Sequence, residues 1–162
     1  MQIEKYHLDA HNEAHLAKHK KRLHFLTSEI EGEHAILQKL IDFQIAIPTW
    51  ALGTGGTRFG RFSGGGEPRH LEEKIEDIGL LHTLNKSSGA ISLHIPWDIP
   101  ENAQDIKNLA LQHGLVFDAV NSNTFQDQSN QEYSYKFGSL QHTDKNVRQQ
   151  AIDHNIEVIK QG

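Results

Sequence analysis

The sequence predicts an α/β fold organised around a parallel sheet. Three short apolar runs predict buried strands, and each is followed along the chain by a segment whose apolar residues recur at helical spacing. This alternation is typical of parallel βα units, whose crossovers are right-handed. Three parallel strands leave two open sheet edges, and a complete eight-fold barrel takes about 250 residues, against 162 in this chain. We therefore expect the chain to be the front part of a larger fold.

Two helices are predicted before the sheet begins. Residues 5–30 are rich in Leu, Ala, Glu, Lys and His and predict a long helix, with Gly32 as a break. Residues 33–41 carry apolar side chains at helical spacing and predict a second, short helix. We expect residues 1–42 to form an N-terminal helical extension and residues 43–162 to form the three βα units.

The first βα unit contains an unusually long loop. A strand is predicted near residues 43–47, and residues 53–66 then include seven glycines before Pro68 introduces a helix. The predicted apolar stripe of that helix consists of Leu71, Ile75, Ile78, Leu81 and Leu84.

The second and third units are shorter and more regular. Residues 90–94 predict the second strand, and its helix is bounded by Pro100 at the first turn and Gly114 at the end. The apolar face of this helix consists of Ile106, Leu109 and Ala110. Residues 116–120 predict the third strand, and residues 121–141 a polar loop. The last helix is predicted to start at an N-cap, Thr143 or Asp144, and to present Ala151, Ile152, Ile156 and Ile159.

Composition excludes several classes of partner and site. The net charge of −5 provides no basic footprint for nucleic acid, and the absence of cysteine excludes disulfides and thiolate metal sites. No apolar run approaches the 18 or so residues of a membrane span, and the first 15 residues lack the apolar core of a signal peptide. We expect a cytoplasmic protein that binds neither nucleic acid nor membrane.

The glycine-rich loop does not have the spacing of a phosphate-binding motif. Arg58 stands where a dinucleotide fingerprint requires its last glycine, and Arg61 follows where a P-loop requires lysine. Large aromatic residues (Trp50, Phe59 and Phe62) favour a loop that contacts a substrate or another subunit. A surface loop without such a role is the alternative.

Polar and aromatic residues follow each predicted strand. Trp50, His94 and Asn121, with Asn123 close behind, should converge on one rim, because the carboxyl ends of parallel strands share an edge. Histidine titrates near neutrality and can move protons, while amides donate and accept hydrogen bonds to a polar ligand such as a sugar. A partly buried structural histidine and ordinary turn-forming asparagines are the alternatives.

Two neighbours of His94 are predicted to support it. Asp98 could orient the imidazole, and Trp97 could supply an apolar wall. A different set of histidines recurs at intervals of four in the first helix: His7, His11, His15 and His19. We interpret this set as a solvated helix face on which adventitious nickel or zinc binding is plausible; a physiological site for a divalent metal is the alternative.

Four segments resemble the N-terminal portion of the L-rhamnose isomerases, metal-dependent sugar isomerases of the xylose isomerase-like barrel superfamily. They are IPTWALGTGGTRFGRFSGGGEPR (47–69), SLHIPWD (92–98), FDAVNSNTFQD (117–127) and SYKFGSLQHTD (134–144). The resemblance implies a partial (β/α)8 TIM barrel, namely its first three βα units preceded by an N-terminal helical extension. It implies an aldose–ketose isomerase that interconverts L-rhamnose and L-rhamnulose when complete, and an inactive chain in isolation.

The resemblance also assigns roles to residues. It implies that His94 is catalytic, acting on the ring oxygen to open the sugar ring, and that Trp50, Phe59 and Trp97 bind the sugar. The first loop of such enzymes can reach a neighbouring subunit, so Phe59 is a candidate for action in trans. The complete protein is expected to be a homo-oligomer, a tetramer by resemblance, that uses a divalent metal (Mn, or Zn or Co). The metal ligands lie outside this chain.

Two other functions stay open at this point. One is a non-catalytic binding or assembly module that uses the glycine-rich loop. The other is a sugar epimerase of the same barrel superfamily, which a different set of downstream metal ligands would distinguish.

Overall fold

The computed structural model describes residues 3–27, 32–53, 56–57, 60–61 and 65–162. A three-stranded parallel sheet is the centre of this part of the chain, as the alternation of strands and helices predicted. The elements are, in chain order, α1 (Lys5–Thr27), α2 (Glu33–Ile41), β1 (Ala46–Pro48), a 3-10 turn (Thr49–Ala51), β2 (Gly56–Thr57), β3 (Gly60–Arg61), α3 (Leu71–Asn85), β4 (Ala90–Ile95), α4 (Ala103–Gln112), β5 (Val116–Ser122) and α5 (Lys145–Gln161). The described residues form an open sheet compatible with three βα units.

The two N-terminal helices occur where they were predicted. α1 extends to Thr27, and the predicted end of this helix at residue 30 lies outside the described residues. Gly32 precedes α2 with φ 81, a left-handed conformation that glycine adopts without the steric cost of a Cβ. None of the described helices is long and apolar enough to cross a membrane.

The sheet has β4 at its centre, in the order β1-β4-β5. The first strand is shorter and later than predicted: it covers Ala46–Pro48 rather than residues 43–47. Gln44 explains the late start, because its side-chain Oε1, instead of a strand carbonyl, accepts the Gly89 N–H at 3.0 Å. β4 and β5 each extend beyond the predicted ends, to Ile95 and Ser122, because the polar residues there continue the ladder between the two strands.

One face of the sheet packs against α3 and α4 to form the main core. Its buried residues come from both helices, from β4 and from the residue just before β5: Leu71, Ile75, Ile78, Ile91, Ile106, Ala110 and Leu115. A large aliphatic side chain buried in this way contributes about 1.5–3 kcal/mol to the free energy of folding.

The buried face of α3 differs from the predicted stripe. Ile75 and Ile78 are fully buried, but Leu81 is exposed, whereas Lys74 and Gly79 are buried. At Gly79 a Cβ would lie 2.5 Å from Nδ1 of His113, so this helix position has room only for glycine unless the imidazole moves.

α4 begins three residues after the proline that was predicted to start it. Asn102 is the N-cap, and its side chain accepts the backbone N–H of Gln104 at 3.0 Å, so that one of the free N–H groups of the first helical turn has a partner. The predicted end at Gly114 is confirmed, with φ 69 at that glycine.

α5 begins after Asp144, one of the two predicted caps, whose carboxylate accepts the N–H of Asn146 at 2.8 Å. The predicted apolar face is wrong for three of its four members: Ala151 is buried, but Ile152, Ile156 and Ile159 are exposed. The helix instead buries Val147, Ala151 and Val158. The difference arises because α5 packs against β5 and a small cluster around Tyr135, which lie on the other side of the helix.

Candidate functional site

A buried histidine surrounded by aromatic rings lies at the carboxyl end of the sheet. His94 is only 2 % exposed. Its ring centroid lies 4.0 Å from that of Trp97, 5.5 Å from that of Trp50 and 5.9 Å from that of Phe125. Trp50 and Trp97 are about 40 % exposed, at 40 % and 39 %, so the aromatic wall is open to solvent on one side. We call these four residues the aromatic site.

The parallel register explains why residues so distant in sequence meet here. Pro48 of β1 lies opposite Ser92 of β4, and Trp50 and His94 each follow two residues later. The 3-10 turn at Thr49–Ala51 turns the chain directly after β1, where the sequence predicted only a loop. After β4, the backbone N–H groups of Trp97 and Asp98 both donate to the His94 carbonyl at 2.9 Å, and this tight turn brings the Trp97 ring over the imidazole.

Asn121 joins the aromatic site from β5. It lies opposite His94 in the register, and its Nδ2 is 3.0 Å from Nδ1 of the imidazole. The pairing depends on a register shift between Ile91 and Ser92, where the partners change from Phe117 to Ala119. The predicted convergence of Trp50, His94 and Asn121 on one rim is therefore confirmed.

A buried polar network holds the turn that follows β4. The Asp98 carboxylate, 1 % exposed, accepts hydrogen bonds from the Thr49 hydroxyl at 2.5 Å and from the backbone N–H of His94 at 2.7 Å. Its other oxygen forms an ion pair with Nζ of Lys74 at 2.6 Å. One carboxylate thus connects the end of β1, helix α3 and the end of β4.

This network corrects the predicted role of Asp98. The sequence interpretation had Asp98 orienting the imidazole, but its carboxylate binds the backbone of His94 instead. The side chain at hydrogen-bonding distance from the imidazole Nδ1 is that of Asn121. The physical reason is the turn itself, since a carboxylate four residues after His94 curls back onto the backbone N–H that the turn leaves available.

Phe125 was not among the residues singled out from the sequence. It lies in the polar loop after β5, where isolated apolar residues carry little predictive signal. The feature of the sequence that could have identified Phe125 is its position two residues after Asn123, shortly beyond the end of β5. Asn123 itself is fully buried, and its amide donates to Oε1 of Gln126 at 3.4 Å.

The loop that carries Phe125 is organised around Asp127. Its carboxylate accepts hydrogen bonds from the Ser134 hydroxyl at 2.6 Å, the Tyr135 N–H at 2.6 Å and the Gln131 amide at 3.2 Å. These bonds, that of Ser134 foremost, lower the pKa of the Asp127 carboxyl below its ordinary value. The Asp127 carboxylate thus holds residues 127–135 of this loop together.

The remaining site predictions have mixed outcomes. Phe59 lies outside the described residues. His7, His11, His15 and His19 are all exposed on α1, in agreement with a solvated face. Among the residues that the structure describes, no group of three or more His, Asp or Glu side chains is arranged to hold a metal ion. The roles predicted for His94, Trp50 and Trp97 stay predictions.

Comparison with known proteins gives two close relatives. No family model matches the chain. A protein from Mesorhizobium japonicum named "probable sugar isomerase" is 51 % identical over 128 residues, which cover 79 % of this chain. A protein of the same name from Rhizobium meliloti is 48 % identical over 128 residues. The chain spans about 30 % of the length of each of these curated relatives.

Proposed function

We propose that this chain is the N-terminal part of a sugar isomerase, and that the complete protein interconverts L-rhamnose and L-rhamnulose. The names of the two relatives support a sugar isomerase, and the L-rhamnose isomerase-like segments support the particular sugar. We further propose that the complete protein folds as a (β/α)8 barrel and works as a cytoplasmic homo-oligomer. The observation that carries the proposal is the buried His94 imidazole within the aromatic site.

The aromatic site offers what a sugar requires. The C–H faces of a pyranose are apolar, so indole rings such as those of Trp50 and Trp97 suit stacking against them. An imidazole transfers protons near neutral pH. Opening the ring breaks the bond between the anomeric carbon and the ring oxygen. The ring oxygen gains a proton, and the anomeric hydroxyl loses one as the aldehyde forms. We propose that His94 donates a proton to the ring oxygen and regains one from the anomeric hydroxyl, so that the imidazole ends the ring opening as neutral as it began.

The hydrogen transfer between adjacent carbons is assigned to the remainder of the complete protein. A divalent metal (Mn, or Zn or Co) would polarise the carbonyl and hydroxyl oxygens there as a Lewis acid. The described residues contain no group of three or more His, Asp or Glu side chains that could hold it. For the same reason we expect the isolated chain to bind sugar weakly and to have no turnover.

The test replaces, in the Mesorhizobium relative, the segment that this chain matches with the chain itself. The hybrid, supplied with manganese, should convert L-rhamnose to a ketose. A His94→Gln variant should lower kcat/KM by roughly 10²–10⁴-fold, the usual contribution of a general acid or base. Replacing the exposed His15 of α1 by Gln is the matched control and should leave kcat/KM unchanged. A hybrid that folds but stays inactive on every aldose tried would refute the proposal.

An assembly module is the second candidate, and one observation favours it. α2 and the segment after it expose several large apolar side chains: Ile36, Leu40, Ile41, Phe43 and Ile45. Tight self-association of the chain without sugar binding would support this candidate. A sugar epimerase is distinguished by its products, because an epimer rather than a ketose would accumulate in the hybrid assay.

A further inference from the structure

The imidazole of His94 has a side-chain neighbour at hydrogen-bonding distance, the amide of Asn121. Nδ2 of Asn121 lies 3.0 Å from Nδ1 of His94, a normal hydrogen-bonding distance. The contact is not a chance encounter of mobile side chains. The two residues are direct partners in the parallel ladder between β4 and β5, and His94 is 2 % exposed.

In the observed orientation of the Asn121 amide, the chemistry of the two groups permits one tautomer of His94. The amide nitrogen of asparagine donates hydrogen bonds and does not accept them. The imidazole nitrogen that faces it must therefore be the acceptor, and the single ring proton of neutral histidine must reside on Nε2. If the amide were rotated by 180°, its oxygen would face Nδ1 and the opposite tautomer would result. The two arrangements are therefore distinguishable by experiment.

The register between β4 and β5 also places the Asn121 amide beside the imidazole. The register shift between Ile91 and Ser92 moves the partners of β4 by one residue along β5. Without that shift His94 would lie opposite Val120, whose side chain has no polar atom. The irregularity in the sheet therefore places an amide, rather than an aliphatic group, beside the imidazole. β-Bulges and related irregularities recur next to active sites, where they redirect a side chain.

We propose that Asn121 is a positioning residue that holds neutral His94 as the Nε2–H tautomer. The functional meaning of this inference rests on the proposed sugar isomerase, in which Nε2 would then be the proton-bearing atom that meets the sugar ring oxygen. Asn121 acts through His94 and needs no contact with the sugar. The tautomer itself is a property of this chain and is measurable without any substrate.

The test is an NMR measurement on the 162-residue chain labelled with ¹⁵N. Long-range ¹H–¹⁵N correlation spectra, recorded at a pH where the histidines are neutral, distinguish a protonated ring nitrogen from an unprotonated one by chemical shift. Signals of His94 are identified by their loss in His94→Gln. The expected result for the natural sequence is an unprotonated Nδ1 and a protonated Nε2. A protonated Nδ1, or a near-equal mixture of both tautomers, would overturn the proposal.

Two asparagine variants test the cause. Asn121→Asp has nearly the same shape but offers only acceptor oxygens, so the ring proton should move to Nδ1 and the two nitrogen shifts should interchange. Asn146→Asp adds the same charge at an exposed site in the first turn of α5 and should leave His94 unchanged. An unaltered pattern in a folded Asn121→Asp variant, or the same change in both variants, would refute a specific role of Asn121.

The design keeps two failures apart. If Asn121→Asp does not fold, as judged by its backbone amide spectrum, the tautomer of the natural sequence still decides the question. An inactive hybrid enzyme would refute the sugar isomerase and leave the tautomer measurement untouched. A wrong tautomer in an active hybrid would refute the role of Asn121 alone.

Discussion

Lys74 and Asp98 form a buried ion pair next to the candidate site, and separating them should destabilise the chain strongly. The Nζ–Oδ1 distance is 2.6 Å, and the two side chains are 11 % and 1 % exposed. Lys74→Met removes the cation and leaves the carboxylate with its two hydrogen bonds from Thr49 and His94. Removing one partner of a buried pair costs about 3–5 kcal/mol, because the remaining charge is left uncompensated away from water.

The double variant provides a sharper expectation than either single one. Asp98→Asn leaves the ammonium group of Lys74 without its charge partner and should also cost about 3–5 kcal/mol. Lys74→Met combined with Asp98→Asn leaves no unpaired charge. Its loss of unfolding free energy should therefore be smaller than the sum of the two single losses, by about 1–3 kcal/mol.

The assay is urea denaturation followed by tryptophan fluorescence and circular dichroism. Small domains are stable by about 5–15 kcal/mol, so the single variants should lose a large share of their stability, and low temperature is advisable. The matched control is Lys160→Met. Lys160 contacts Glu157 at a similar 2.7 Å, but both side chains are more than 60 % exposed, at 63 % and 61 %. Breaking that surface pair should change stability by less than about 1 kcal/mol.

Two outcomes would contradict this reasoning. If Lys74→Met costs no more than Lys160→Met, the pair is not effectively desolvated in solution. If the double variant loses the full sum of the single losses, the two side chains do not interact, and the network does not hold the turn that follows β4.

Two further predictions concern acid stability and the open edge of the sheet. Burial lowers the pKa of His82 and of His154, so the unfolded chain binds more protons than the folded one near and below pH 6.5. The free energy of unfolding should therefore fall as the pH decreases from 7.5 to 5. The urea midpoint should fall less in a His82→Gln/His154→Gln variant, and an equal fall would contradict burial as the cause. β5 (Val116–Ser122) has one strand partner and β4 (Ala90–Ile95) has two among the described residues, so hydrogen exchange should be faster in β5, whereas equal protection would indicate that its edge is covered in solution.

Much of the fold was predictable because it depends on local chemistry. Alternating strands and helices, the helix end at Gly114 and the cap at Asp144 follow from residues within one turn of the element concerned. That Trp50 and His94 lie at the same edge was also predictable, because a parallel sheet places the carboxyl ends of all its strands at one edge.

Predictions were wrong where the sequence pattern was compatible with both a buried and an exposed position for a side chain. The isoleucines of α5 were assigned to a buried face, yet the helix packs on β5 through Val147, Ala151 and Val158. Periodicity identifies a stripe, but when apolar residues occur on two sides of a helix it does not say which side faces the sheet. Lys74 is a second example. A lysine is normally predicted to be exposed, and its burial follows only from its contact with Asp98, 24 residues away in the sequence.

The amino-acid sequence by itself determined that this chain forms parallel βα units and that Trp50, His94 and Asn121 gather at one edge of the sheet. Only the tertiary structure decided what touches the imidazole. Asp98 was the nearer candidate along the chain, but the turn directs its carboxylate to the backbone, and a one-residue register shift brings Asn121 beside His94 instead of Val120. Register is set by how two strands separated by a helix pair along their whole length, and no local pattern of residues encodes that single step.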